Sequence, residues 1–223
     1  MTRKEAASVV DSVDEMIPRP RSPFAELFLA SHTAAPDDTA AVTVRSLPFV
    51  GYVAVRGKPD DAGFLAAAKG VLGLDLPLTA GGVAEAEHCR VLWLGPDHWL
   101  AVCNEGEAPA LNVRLQDAFA GLFAAAIELS GARSRLRISG EAAADLLATG
   151  CRLDLDPAVF GPGQCLQTPL GNVTAIIHCV DTGEPGQPSP AYDVYVPRSM
   201  AMSFWKWLEH AGREFGLRSV AAG

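Results

Sequence analysis

The sequence predicts an α+β protein built from two tandem ferredoxin-like, split βαβ halves. Three observations carry that prediction. A strand, a glycine turn, a helix, a Leu-Asp-Leu and a proline occur in that order around Gly57 and again around Gly140. Each copy is followed by paired strand-like runs and a closing helical run. Apolar residues alternate in the strand runs and recur every three to four positions in the helical ones, the two periods of a sheet backed by helices. Such β-α-β-β-α text is the signature of the split βαβ unit.

Residues 1–22 carry charges, Pro18 and Pro20 but little periodicity, and are expected to form an arm, extended or briefly helical, that orders against a partner. The first half spans 23–124. It opens on the apolar anchor Phe24-Ala25-Glu26-Leu27-Phe28 and a polar loop over 31–39, with strand text from Val42. Tyr52-Val53-Ala54-Val55-Arg56 reads as a strand and Gly57 as its turn. Asp60 or Asp61 then caps a helix striped by Phe64, Leu65, Ala68 and Leu72. Residues 89–94 and 98–103 form a hairpin around Gly95-Pro96-Asp97, and Leu111, Leu115, Ala118, Phe119 and Leu122 line the next helix.

The junction falls over 124–128, and the second half spans 125–216. Its strand 133–139 leads through Gly140 into a helix over 141–149 with Ala143, Leu146 and Leu147 inward. Strands follow over 165–168, 173–180 and 192–196, then a helix over 198–212. Residues 183–190, with Pro185, Pro188 and Pro190, read as a flexible insertion, and 217–223 as a tail.

At 223 residues the chain can bury about 70% of the surface its unfolded form exposes. Its 49% hydrophobic and 20% charged residues exclude a disordered chain. A formal net charge of -8 argues against a nucleic-acid backbone or an anionic lipid surface as the main partner. No apolar run has the length of a signal peptide or membrane span, so a soluble cytoplasmic protein is expected. The cysteines, Cys89, Cys103, Cys151, Cys165 and Cys179, are odd in number and form no C-x-x-C pair, and are read as reduced, mostly buried thiols.

Sites of chemistry are sparse. Gly161-Pro162-Gly163-Gln164-Cys165-Leu166 has leucine where a dinucleotide fingerprint needs its third glycine, and reads as a plain turn. Cys151, His178 and Asp193 are the residue types of a nucleophile, a base and an orienting acid, but their spacing gives no reason to join them. His88, His98, His178 and His210 stand apart from one another, without the spacing of metal ligands. No catalytic, cofactor or metal site is therefore assigned to the chain.

Two features point to a partner instead. Arg133, Arg135 and Arg137 alternate along one strand, so all three guanidinium groups share a face while Ser134, Leu136 and Ile138 take the other. That face is either solvated or holds the carboxylates of a partner or an anionic tail in its arginine forks. In the last helix Met200, Phe204, Trp207, Leu208 and Ala211 form the inward stripe. Trp205, about 100° around from Phe204, is read as an interface anchor, with a flank-packed core residue as the alternative.

Five stretches resemble a known family. They are 93–100 (Trp-Leu-Gly-Pro-Asp-His-Trp-Leu), 129–134 (Leu-Ser-Gly-Ala-Arg-Ser), 139–143 (Ser-Gly-Glu-Ala-Ala), 150–155 (Gly-Cys-Arg-Leu-Asp-Leu) and 192–199 (Tyr-Asp-Val-Tyr-Val-Pro-Arg-Ser). In this order and spacing they resemble the gamma subunit of heterotetrameric sarcosine oxidase, over residues 22–216. The resemblance implies a fold related to the folate-binding part of glycine-cleavage aminomethyltransferases. It also implies alpha and beta subunits that hold NAD, FAD and FMN, oxidise sarcosine to glycine and pass the one-carbon unit to tetrahydrofolate, and a small delta subunit that carries zinc. This chain would hold none of these cofactors and would support its partners through the arginine stripe, the arm and the last helix. The competing expectation is a stand-alone folate or one-carbon binding module, with a pocket between the halves where Arg133 or Arg135 meets the glutamate tail.

Overall fold

The computed structural model describes residues 22–24, 40–180 and 190–220. The predicted arm, apart from Ser22, and most of the predicted insertion lie outside the described residues. In the first half, strand β2 (Gly51–Gly57) is apolar on both faces and takes an interior place in a sheet. A carboxylate oxygen of Asp61 accepts from the N–H groups of Gly63 (2.9 Å) and Phe64 (3.1 Å) and so starts α1 (Ala62–Leu72). Gly73, at φ 75°, ends it in the left-handed conformation that glycine adopts without steric cost. Strands β3 (Val83–Glu85), β4 (Cys89–Gly95) and β5 (His98–Cys103) follow, then α2 (Ala108–Ala118) and β6 (Ala124–Glu128). The sheet order is β3-β4-β5-β2-β6 with every neighbour antiparallel, which is the split βαβ order extended by the edge strand β3.

The second half repeats the plan with β7 (Arg133–Ser139), α3 (Ala143–Ala148), β8 (Gln164–Leu170), β9 (Val173–Val180), β10 (Ala191–Pro197) and α4 (Ala201–Gly212). Its sheet runs β11-β1-β7-β10-β9-β8. The place beside β7 that β6 fills beside β2 is taken by β1 (Val42–Ser46), a strand from before the first half. Strand β11 (Leu217–Val220) then lies parallel outside β1, pairing Val42 with Leu217. The predicted boundaries are corrected at three points: β1 belongs to the second sheet, 125–128 belongs to the first, and 217–220 is a strand. Period two explains β1, because Val42 and Val44 enter the second core while Thr43 and Arg45 face away from it.

Each sheet carries its helices on one face. Val53, Val55, Phe64, Trp99 and Leu115 centre the first core, and Val42, Ile138, Leu146, Val194 and Phe204 the second. The opposite faces meet each other. Tyr52, Leu92, Leu94, Leu100 and Val102 of the first sheet form a third cluster with Cys165, Ile176 and Tyr195 of the second.

Trp205 is corrected here. It is 3% exposed and belongs to the second core, because the buried stripe of α4 runs through Ala201, Phe204, Trp205, Leu208 and Gly212. Trp207 instead stands half-buried over Gly150 and Gly171, whose missing Cβ atoms leave room for its indole ring.

Candidate functional site

The alternation along β7 holds: Ser134, Leu136 and Ile138 are buried, and Arg133, Arg135 and Arg137 take the other face. That face turns toward the first sheet. On the next strand Asp193 stands in register between His178 of β9 and Arg137 of β7. Asp193 is 0% exposed, and Arg137 grips it through a fork, Nε to Oδ1 at 2.7 Å and Nη2 to Oδ2 at 3.1 Å. Arg135 Nη1 lies 3.7 Å from Oδ2, and Nη1 of Arg90, reaching across from β4 of the first sheet, lies 3.5 Å from it. Arg90 Nε also meets Glu85 Oε1 at 2.6 Å, and His178 Nε2 stands 3.8 Å from that same oxygen.

The group is a polar lock between the two halves. Arg135 and Arg137 therefore already engage a carboxylate that the chain itself supplies, while the Arg137 side chain keeps 34% of its surface exposed. Arg133 differs, its side chain making no hydrogen bond or ion pair among the described residues. Burial lowers its pKa, partly opposed by the Tyr52 hydroxyl. Asp193, Glu85 and Arg90 were not joined by spacing, because they come from three strands. The available signal was Asp193 itself, one acid inside the apolar run Ala191–Pro197.

Burial, then the Arg90 charge, pulls His178 down to about 4, with Asp193 and Glu85 opposing, so its imidazole is neutral at pH 7. Burial pushes the thiols of Cys89 and Cys103 up to about 11 and that of Cys165 up to about 12, and their protonated forms are poor nucleophiles. His178 and Asp193 are neighbours, but Cys151 packs on the helix side of the second sheet, so the three residues considered together in the sequence are not assembled. His98 pairs with Gly95 at the end of the β4–β5 hairpin and with Arg56 in the β2–β5 register. Among the described residues, no three His, Cys, Asp or Glu side chains are placed to share a metal ion.

The space bordered by Tyr52, Arg133 and Arg135 is about 10 Å³, room for a single water. Ligand pockets start at roughly 300 Å³, so this space as it stands is too small for a pterin. Two open clefts lie elsewhere on the first half. One, of about 430 Å³, runs between Arg56, Lys58, Asp97 and the exposed ring of Phe123; the other, of about 450 Å³, between Cys89, Cys103, Glu107 and Arg114. No described helix is long and apolar enough to cross a membrane.

The fold defines the class, two split βαβ units set face to face, which in this chain are fastened by a buried carboxylate among arginines. The fold is similar to that of glycine cleavage system aminomethyltransferase T from Bartonella henselae, with a TM-score of 0.59 and 19% identity over 81% of this chain and 48% of that one. The chain belongs to the sarcosine oxidase, gamma subunit family, whose model matches residues 56–214. It is 34% identical over 202 residues to sarcosine oxidase subunit gamma of Corynebacterium sp. (strain U-96), covering 90% of this chain and 94% of that one. With the Arthrobacter sp. subunit gamma it shares 39% identity over 150 residues, 67% of this chain and 72% of that one. It also matches a chain of heterotetrameric sarcosine oxidase from Corynebacterium sp. U-96 in complex with pyrrole 2-carboxylate. That match has a TM-score of 0.77 and 33% identity, and covers 92% of this chain and 100% of that one.

Proposed function

We propose that this chain is a noncatalytic structural subunit of a cytoplasmic heterotetrameric sarcosine oxidase. In this reading the alpha and beta subunits hold NAD, FAD and FMN, oxidise sarcosine to glycine and pass the one-carbon unit to tetrahydrofolate, while a delta subunit carries zinc. One observation supports it above the others. A buried polar cluster, Asp193 with Arg90, Arg135 and Arg137, joins the chain's own two halves, and the histidine beside it is held neutral. A cluster committed in this way gives shape to a surface and leaves proton transfer to others.

Co-expression with tagged partner subunits tests the reading. The chain is expected to co-purify in a fixed ratio and, purified alone, to leave sarcosine unoxidised. Turnover of the amine by the isolated chain, or failure to co-purify, refutes it.

A further inference from the structure

The arginines of β7 are part of a wider face. Strand pairing places Arg45 of β1 directly opposite Arg137, and Thr43 opposite both Ser139 of β7 and Arg218 of β11. By strand alternation Arg45, Arg133, Arg135, Arg137 and Arg218 all lie on the side of the second sheet away from its helices. On that side the described strands of the sheet carry one carboxylate, Asp193, and it is directed at Arg137, Arg135 and Arg90. The Arg135 side chain is 13% exposed, that of Arg137 34%, and Arg45 is exposed. The Arg45 side chain makes no hydrogen bond or ion pair among the described residues.

Like charges directly opposite across a ladder oppose pairing, and here they are set on a chain whose net charge is -8. An outside carboxylate between Arg45 and Arg137 turns that repulsion into attraction, with guanidinium forks shaped to receive it. We propose that the open face of β7, β1 and β11 docks an acidic segment of a partner subunit, with Arg45 as its exposed anchor. The proposal rests on the subunit reading above and adds the chemistry of the contact. The chain's own residues 1–21 fit the role less well, since their four basic and four acidic side chains cancel.

The test co-expresses the partner subunits with wild-type chain, Arg45→Lys, Arg45→Gln or Arg45→Glu, and measures the dissociation constant of the complex across a salt series. Arg45→Glu is expected to weaken assembly about tenfold and Arg45→Gln about threefold, with Arg45→Lys close to wild type and a shallower salt dependence in the two weakened variants. In the chain alone, Arg45→Glu faces Arg137 and is expected to hold or raise the melting temperature, so weakened assembly with an intact fold isolates the docking role. Equal assembly of Arg45→Glu and wild type overturns the proposal. So does equal loss in all three variants, Arg45→Lys included, with a lowered melting temperature, which marks a structural role. The double variant Asp37→Asn, Asp38→Asn is expected to assemble as wild type; weakening to the level of Arg45→Glu overturns the proposal in favour of an acidic segment of this same chain. A wild-type chain that never joins its partners refutes the subunit reading and the docking surface with it, whereas an intact wild-type complex indifferent to Arg45→Glu refutes the docking surface alone.

Discussion

Replacing Asp193 by asparagine keeps the shape of the side chain and removes the charge on which three guanidinium groups converge. The carboxylate has no exposure to water and receives two bonds from Arg137, at 2.7 and 3.1 Å, with Arg90 and Arg135 at 3.5 and 3.7 Å. One unit pair at such distances is worth about 4 kcal/mol at an effective dielectric near 20. Three such attractions do not simply add. The arginines repel one another, each keeps some contact with water, and burying the charges carries its own penalty. Removing one partner of a buried pair typically costs 3 to 5 kcal/mol, and the partial exposure of Arg137 favours the lower end, about 3 kcal/mol. For a chain of this size that corresponds to a fall of about 10 °C in melting temperature. Urea unfolding of wild type and Asp193→Asn at low protein concentration reads the difference as a shift in midpoint at unchanged slope. A loss below about 0.5 kcal/mol would refute the lock, because surface substitutions lie within that range. Combining Asp193→Asn with Arg137→Gln should cost clearly less than the two single losses together, since the second change removes a charge already orphaned.

Two further outcomes follow from the same geometry. His178 takes a proton near pH 6.5 when unfolded but only near 4 when folded, so the unfolded chain binds more protons in between. Stability should therefore fall as pH drops from 6.5 toward 4, by up to about 3 kcal/mol, and His178→Gln should flatten that part of the unfolding profile. A slope unaltered by the substitution would place the titration elsewhere. Trp205→Ala should destabilise the chain by about 3 to 5 kcal/mol in the absence of any partner, as expected for an emptied core site. A normal unfolding midpoint combined with weakened assembly would return Trp205 to the surface.

Much of the fold is readable along the chain because its causes are local. The Asp61 cap, the turn between β4 and β5, and the alternation along β7 each depend on residues a few positions apart. The candidate site was legible only in part. Alternation assigned Arg133, Arg135 and Arg137 to one face correctly, but the charge that engages two of them sits 56 residues beyond Arg137. Trp205 was misread for a related reason. Adjacent positions 204 and 205 differ by only about 100° around a helix, and a broad buried stripe accommodates both.

Order and spacing of short motifs were enough to indicate the family, and residue periodicity was enough to indicate two split βαβ halves. Tertiary structure decided which surfaces meet. It took β1 out of the first half to lie beside β7, turned the bare faces of the two sheets toward each other, and gathered Arg90, Arg135, Arg137 and Asp193 at their contact. Periodicity states which side chains share a face, because backbone geometry repeats within an element. What lies opposite that face depends on register and packing between strands far apart in sequence, where burial and charge pairing across the whole chain decide the outcome.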